Sequence, residues 1–156
     1  MRTLLLTPTH WLTWDFRVTA DGREIAIIDR DWFRERASFS IDGRSFGIRK
    51  TSLLRSNFVL EDNGTLVAEA TKPSAFRRTF HVTAGGKQLT LRAVSALRRE
   101  FHLFDGAAWI GRIRPLSAFR RKATAEFPET MPLEVQLFVT FLVLVLWKRQ
   151  ADRAAS

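Results

Sequence analysis

The sequence predicts a mainly β fold: an antiparallel closed barrel of about twelve strands, built from hairpin repeats, with a hydrophobic C-terminal helix threaded through its centre. Tight-turn pairs recur at Asp21-Gly22, Asp42-Gly43, Asn63-Gly64, Gly85-Gly86 and Asp105-Gly106. The second residues of these pairs lie 21, 21, 22 and 20 residues apart. An apolar run, residues 133–147, begins only after that pattern ends. The regular turns predict the sheet, and the apolar run predicts the helix.

Each turn pair predicts a β-hairpin. Asp-Gly and Asn-Gly favour two-residue turns because both central positions need a positive φ, which glycine adopts without steric cost. Short alternating segments flank the turns, as residues 38–41 and 45–48 flank the second one. Such runs are typical of strands with one buried face. Five hairpins give ten strands, and segments 3–7 and 122–127 add one at each end, for about twelve in all.

An internal repeat supports this count. Residues 52–60 align with residues 95–103, and residues 74–78 align with residues 117–121. Both matches have an offset of 43 residues, which corresponds to two hairpin units.

The returning strand of every hairpin also places a large residue directly before a small one. The pairs are Ile25-Ala26, Phe46-Gly47, Val67-Ala68, Leu89-Thr90 and Ile110-Gly111. Because successive strand residues point to opposite faces, we predict a row of small side chains on the inner face, which would make room for the helix. The alternative is that these small residues only relieve strand bending or bulges.

The C-terminal apolar segment has no polar face, as in a helix buried on all sides. Its uninterrupted part, residues 137–147, is 11 residues long, and a membrane span needs ~20. We predict a helix over residues 132–149 inside a single domain, residues 1–152, with Thr130 as its cap and a disordered tail at 153–156. A membrane anchor and a helix packed outside the barrel are the alternatives.

The N-terminal apolar core is three leucines, shorter than the ~7–15 residues of a secretory signal, so segment 3–7 is interpreted as a strand.

This architecture resembles the tubby C-terminal fold, which is shared by tubby-like proteins, the LURP-one-related family and phospholipid scramblases. The recurrent hairpins, the Gly/Ala-x-Ile pattern at residues 26–28 and 111–113, and the terminal helix carry the resemblance over nearly the whole chain. The small LURP-one-like members are the most similar in length. Tubby proteins bind phosphoinositides, so the resemblance implies binding of an anionic lipid. No segment matches that site residue by residue, and the calcium-binding D-x-D-x-D-G spacing is absent, so no binding residue is carried over.

The composition gives no support to catalysis. The chain has neither cysteine nor tyrosine, which excludes thiolate chemistry and fits a reducing cytosol. Phosphate-binding loops, nucleophile elbows and H-E-x-x-H pairs are absent. His81 and His102 lie on strands of neighbouring hairpins without further metal-ligand spacing. Glu61 and Asp62 lie beside a turn, and we interpret this carboxylate pair as part of a solvated hairpin tip rather than as an acid–base pair. We therefore predict a non-enzymatic protein with no cofactor and no metal.

The charge distribution predicts an anionic partner, because the formal net charge is +9 at pH 7. In a meander the connections between hairpins gather at one barrel end, and most cations fall there. The predicted basic rim comprises Arg34, Lys50, Arg55, Lys72, Arg77, Arg78, Arg98, Arg99, Arg114, Arg120, Arg121 and Lys122. Trp32, Phe33, Phe76 and Phe119 lie in the same connections. These features favour an anionic membrane surface, a phospholipid head group or a membrane-docked partner, and a cytoplasmic, peripheral location. A nucleic-acid-binding module, an enzyme with a barrel-end pocket and an inert solvated rim are the alternatives.

Overall fold

The computed structural model describes residues 1–10, 14–31, 34–52, 56–75, 77–116 and 122–156 of the chain. The elements are β1 (Arg2–Pro8), β2 (Phe16–Ala20), β3 (Arg23–Asp31), β4 (Arg36–Ile41), β5 (Arg44–Lys50), β6 (Phe58–Asp62), β7 (Thr65–Thr71), β8 (Thr79–Ala84), β9 (Lys87–Ala93), β10 (Phe101–Asp105), β11 (Ala108–Pro115), β12 (Ala123–Phe127) and α1 (Leu133–Ala155).

The twelve strands form a closed antiparallel barrel in which every strand pairs with its neighbours in sequence. The barrel closes where β1 pairs with both β2 and β12, with Leu4 opposite Ala20 on one side and Ala125 on the other. The predicted fold class is thereby confirmed, including the two flanking strands, one at each end of the hairpin series.

Two-residue turns join the strands within each hairpin. At the first turn Asp21 and Gly22 have φ values of 51° and 75°, as the Asp-Gly pair predicts. The fifth turn differs by one residue from the prediction, because Asp105 pairs with Ala108 and the turn is formed by Gly106 and Ala107. Only Gly106 of these two residues has a positive φ, which is the pattern of a type II′ turn.

A β-bulge interrupts the first, third and fifth hairpins, and this corrects the predicted row of small residues. The register of β2 on β3 shifts by one, so that Ile25 is the additional residue and Ala26 faces inward with 5% exposure. The β4–β5 hairpin has no such shift. There Phe46 is buried, and Gly47 lies on the outer face of the barrel. Only three of the five small residues are therefore buried, namely Ala26, Ala68 and Gly111.

Helix α1 lies inside the barrel and forms its core. Every residue from Val135 to Trp147 is buried, including the polar Gln136 and Thr140. The ring of Phe141 packs edge-on against that of Phe58 on β6, with centroids 5.6 Å apart. In the described part of the chain, no helix is both long and apolar enough to cross a membrane. The threaded position predicted from the all-round apolar pattern is confirmed.

The ends of α1 differ from the prediction. Pro132 is the N-cap residue and no side chain caps the helix, so the assignment of Thr130 as cap is wrong. The helix also continues to Ala155, six residues past the predicted end at 149, through most of the segment expected to be disordered. The contact of Lys148 with Asp152, four residues apart, and the helix-favouring alanines of this segment account for the extension.

Candidate functional site: the basic connection end

The topology divides the barrel into two ends. The five two-residue turns lie at one end, which we call the turn end, and the connections between hairpins lie at the other, which we call the connection end. β12 finishes at the turn end, because its last residue, Phe127, pairs with Arg2 at the start of β1. Helix α1 therefore begins at the turn end and emerges at the connection end.

Backbone hydrogen bonds close several of the connections in the same way. The N–H groups of Thr51, Val94 and Leu116 donate to the carbonyl six residues later, over 2.9 to 3.0 Å. Thr9 makes the equivalent bond to Asp15 in the first connection. Each bond ties the two ends of its connection together at the barrel rim.

The structure brings the described members of the predicted rim to the connection end, and their exposure varies. Arg34, Arg77, Arg98 and Arg114 are exposed, whereas Lys50, Lys72, Arg78, Arg99 and Lys122 are half-buried. Arg55, Arg120 and Arg121 of the predicted rim lie outside the described residues, as do Trp32, Phe33, Phe76 and Phe119.

Two of the half-buried arginines hold the loop between β9 and β10. The Arg78 guanidinium donates to the carbonyls of Ser95 and Arg98. Its centre also lies 5.6 Å from the centroid of the Phe101 ring. Arg99 lies 5.0 Å from the ring of Trp147 at the end of the buried helix. Trp147 Nε1 in turn donates to the Arg99 carbonyl at 2.8 Å. Burial lowers the pKa of Arg99. These cations fix the loop that presents Arg98.

A carboxylate at the centre of the connection end joins the helix to two connections. Glu35 accepts hydrogen bonds from Arg149 Nε at 2.7 Å and from Lys50 Nζ at 2.9 Å. Arg149 also donates to Ser56 Oγ at 2.8 Å. Burial alone would raise the pKa of Glu35, but the hydrogen bonds from Arg149 and Lys50 outweigh it and hold the pKa below its ordinary value. Glu35 therefore stays ionised and neutralises part of the surrounding positive charge.

Lys72 shows that positive charge remains in excess nearby. Its Nζ donates to the carbonyls of Ser74 and Ala75 at 2.9 and 3.1 Å. The pKa of Lys72 is lowered, first by burial and then by repulsion from Arg149 and Arg153 of the helix. The helix residues Lys148, Arg149 and Arg153 thus belong to the basic end, although they were not included in the predicted rim. The order of the elements could have predicted them. Because β12 ends at the turn end, a helix that follows it through the barrel must end among the connections.

Exposed aliphatic side chains accompany the cations. Leu97 is 95% exposed at the tip of the loop between β9 and β10, directly before Arg98. Val94 in the same loop and Leu116 after β11 are 39% and 49% exposed. Sequence reasoning had expected aromatic residues in this role and missed Leu97, because an isolated leucine in a connection does not differ from a core residue by pattern alone.

The histidines and the carboxylate pair considered from sequence lie on different strands of the described barrel. His81 and His102 are separated by β9, where they pair with Thr90 and Arg92. His102 lies 3.1 Å from Glu100. Glu61 and Asp62 contact Arg49 and Arg44 on β5. Within the described ranges, no group of three or more His, Cys, Asp or Glu side chains is placed to hold a metal ion.

No protein-family model, curated protein or solved structure significantly matches the chain. The interpretation of the basic end therefore depends on its own geometry.

Proposed function

We propose that the protein is a non-enzymatic binding module that docks on an anionic phospholipid surface through its connection end. The observation that carries the proposal is Leu97, which is 95% exposed beside Arg98 on a loop held by Arg78 and Arg99. A leucine exposed to this extent beside arginines suits the boundary between head groups and acyl chains, because its side chain can leave water while the cations stay with the head groups. The architecture supports a relationship to the tubby and LURP-one-related proteins, and the cysteine-free chain fits a cytoplasmic, peripheral location.

The distribution of charge supports the same orientation. In the part of the connection end that the structure describes, Glu35 is occupied by Arg149 and Lys50, and Glu100 lies against His102. Arg77, Arg98 and Arg114 are exposed and form no ion pair with the residues that the structure describes. Each Lys or Arg near an anionic membrane surface contributes ~1 kcal/mol. These three arginines would therefore contribute about 3 kcal/mol, and insertion of Leu97 about 1–2 kcal/mol.

Nucleic acid is the alternative occupant of a basic rim, and the exposed apolar residues that the structure describes favour lipid. Binding to single strands uses aromatic rings on which bases stack, whereas Val94, Leu97 and Leu116 are aliphatic. Aliphatic tips cannot stack on bases, but they can enter the apolar edge of a bilayer. The lipid surface is thus the better match to the described residues.

Vesicle co-sedimentation tests the proposal. The parent should bind vesicles that contain phosphatidylserine but not pure phosphatidylcholine, and binding should weaken above ~0.15 M salt, where the screening length is ~8 Å. Arg77→Ser, Arg98→Ser and Arg114→Ser together should reduce the affinity about a hundredfold, and Leu97→Ser should reduce it about fivefold.

The matched control removes the same charge at the turn end, with Arg23→Ser, Arg44→Ser and Lys87→Ser, at three exposed residues that directly follow turns. This control should bind vesicles nearly as well as the parent. Equal losses in both triple variants would show that only net charge matters and would contradict a specific docking face. Binding to oligonucleotides that vesicles fail to compete away would favour nucleic acid instead.

A further inference from the structure

A cavity of about 510 Å³ opens at the turn end, on the side of the barrel opposite to the basic rim. It lies between the β8–β9 turn, the β10–β11 hairpin and segment 128–132, which leads from the barrel wall into helix α1. Cavities of ~300–1,000 Å³ are typical of small-molecule sites, and the mouths of β-barrels are a common place for them. The proposed membrane function makes no use of this cavity.

The wall formed by segment 128–132 is fixed by the buried helix. Gln136 is fully buried, and its Nε2 donates to the Met131 carbonyl at 2.8 Å and to the Pro128 carbonyl at 3.3 Å. The Met131 N–H donates to the Pro128 carbonyl at 3.1 Å. Two prolines at positions 128 and 132 further restrict the backbone of this segment. The cavity is therefore preformed, which lowers the entropic cost of filling it.

The lining determines the chemistry of the ligand. Leu89, Ile110, Met131 and Val135 provide an apolar interior. Lys87 and Asp105 also line the cavity, and their side chains are 72% and 45% exposed. Lys87 Nζ lies 3.6 Å from Asp105 Oδ2, so the two charges neutralise each other. A charged ligand would have to compete with this ion pair, whereas a polar, uncharged group could hydrogen-bond to both residues.

We infer that the turn end binds an uncharged small molecule with an apolar body and one hydrogen-bonding end. The apolar body occupies the space between Leu89, Ile110 and Val135, and the polar end lies against Lys87 and Asp105. This site is independent of the connection end, so a ligand and a membrane can be bound at the same time.

Titration with N-phenyl-1-naphthylamine, an uncharged probe whose fluorescence rises in apolar sites, tests the inference. The parent should show saturable binding of one probe per chain. Ala84→Phe places a ring in the cavity and should weaken binding at least about tenfold. Ala20→Phe is the matched control, because Ala20 is also the last residue of a strand before a turn but does not line the cavity. It should bind as the parent does.

A second variant covers the case in which Ala84→Phe does not fold, as judged by far-UV circular dichroism. Ile110→Asn keeps the cavity volume nearly constant but makes its wall polar, and it should also weaken binding. Leu97→Ser, at the opposite end, should leave binding unchanged. Unsaturable binding by the parent, or equal binding by the cavity variants and Ala20→Phe, would overturn the inference.

Discussion

Two-residue turns close one end of the barrel, whereas connections of four to seven residues close the other. The aspartates of the turn end have a structural explanation, since Asp21 and Asp42 adopt the positive φ that their turns require. No turn geometry requires Arg77, Arg98 or Arg114 at the connection end. The comparison teaches that the aspartates of the turn end follow from how the chain folds, while the exposed arginines of the connection end need a reason beyond folding. We therefore propose the basic end as the binding surface.

The charges at the two ends of helix α1 differ in the same way as the two ends of the barrel. The N-terminus of the helix, with Glu134 in the first turn, lies at the turn end, and Arg153 is in its last turn at the basic end. Helix dipoles favour this arrangement, with negative charge at the start and positive charge at the end, by about 0.3–1 kcal/mol for each exposed charge. The dipole thus stabilises the charge separation but is too weak to be its cause.

Phe141→Asp should have the largest effect, because both ends depend on one buried helix. An unpaired carboxylate beside Phe58 should destabilise the fold by at least about 4 kcal/mol and remove the structure of both ends together. Thermal unfolding and circular dichroism measure this effect. Leu97→Asp, at a site that is 95% exposed, is the control and should be nearly silent in unfolding.

Deletion of residues 131–156 tests the same dependence without introducing a charge. A truncated chain that remained soluble and cooperatively folded would refute the role of the helix as the barrel core.

Neutralising one carboxylate at each end should sharpen the comparison. Glu35→Gln leaves Arg149 and Lys50 without their charged partner and should cost about 1.5–3 kcal/mol. Asp105→Asn removes a half-exposed partner of Lys87 and should cost less than about 1 kcal/mol. Urea unfolding at pH 7 compares the two variants. Equal losses of unfolding free energy would mean that the carboxylate at the connection end stabilises the fold no more than the one at the turn end.

Leucine at Gly111 and at Gly47 tests how the β-bulges set the inner face. A Cβ atom at Gly111 would lie 2.5 Å from the backbone oxygen of Glu126, so Gly111→Leu should cost about 1–3 kcal/mol. A Cβ atom at Gly47 would meet nothing within 4 Å, and Gly47→Leu should be nearly silent. Ser40→Leu, at an exposed site, is the control. Similar losses of unfolding free energy at both glycines, measured by urea unfolding, would support the original prediction that both lie on the inner face.

The smallest effect concerns pH at the connection end. The folded protein holds the pKa of Glu35 below its ordinary value of 4.5, so the stabilisation is fully present above pH 4.5. It is lost as the pH falls through the lowered pKa, because the unfolded state binds the proton more readily. The difference in unfolding free energy between the parent and Glu35→Gln should therefore shrink between pH 7 and pH 3. A constant difference over this range would exclude the ion pair as its source.

The barrel and its helix could be predicted because each depends on local pattern. Turn pairs such as Asp42-Gly43 specify the hairpins, and the apolar run after Pro132 is buried because it has no polar face to expose to water. Bulges were considered only as an alternative and could not be placed, because the additional residues, such as Ile25 and Ile110, are ordinary strand residues whose extra position appears only in the pairing. At the basic end the cations were predicted, but their division into exposed and half-buried groups depends on long-range contacts such as Arg149 with Glu35.

The most direct test of the central claim places one fluorescent label at each end. Because the chain has no cysteine, Leu97→Cys and Ala107→Cys each give a single site for an NBD probe. On addition of phosphatidylserine vesicles, the probe at position 97 should shift to shorter wavelength and brighten, since it enters an apolar region. The probe at position 107, in the fifth turn, should remain unchanged. A shift at position 107 alone, or at neither position, would contradict docking through the connection end.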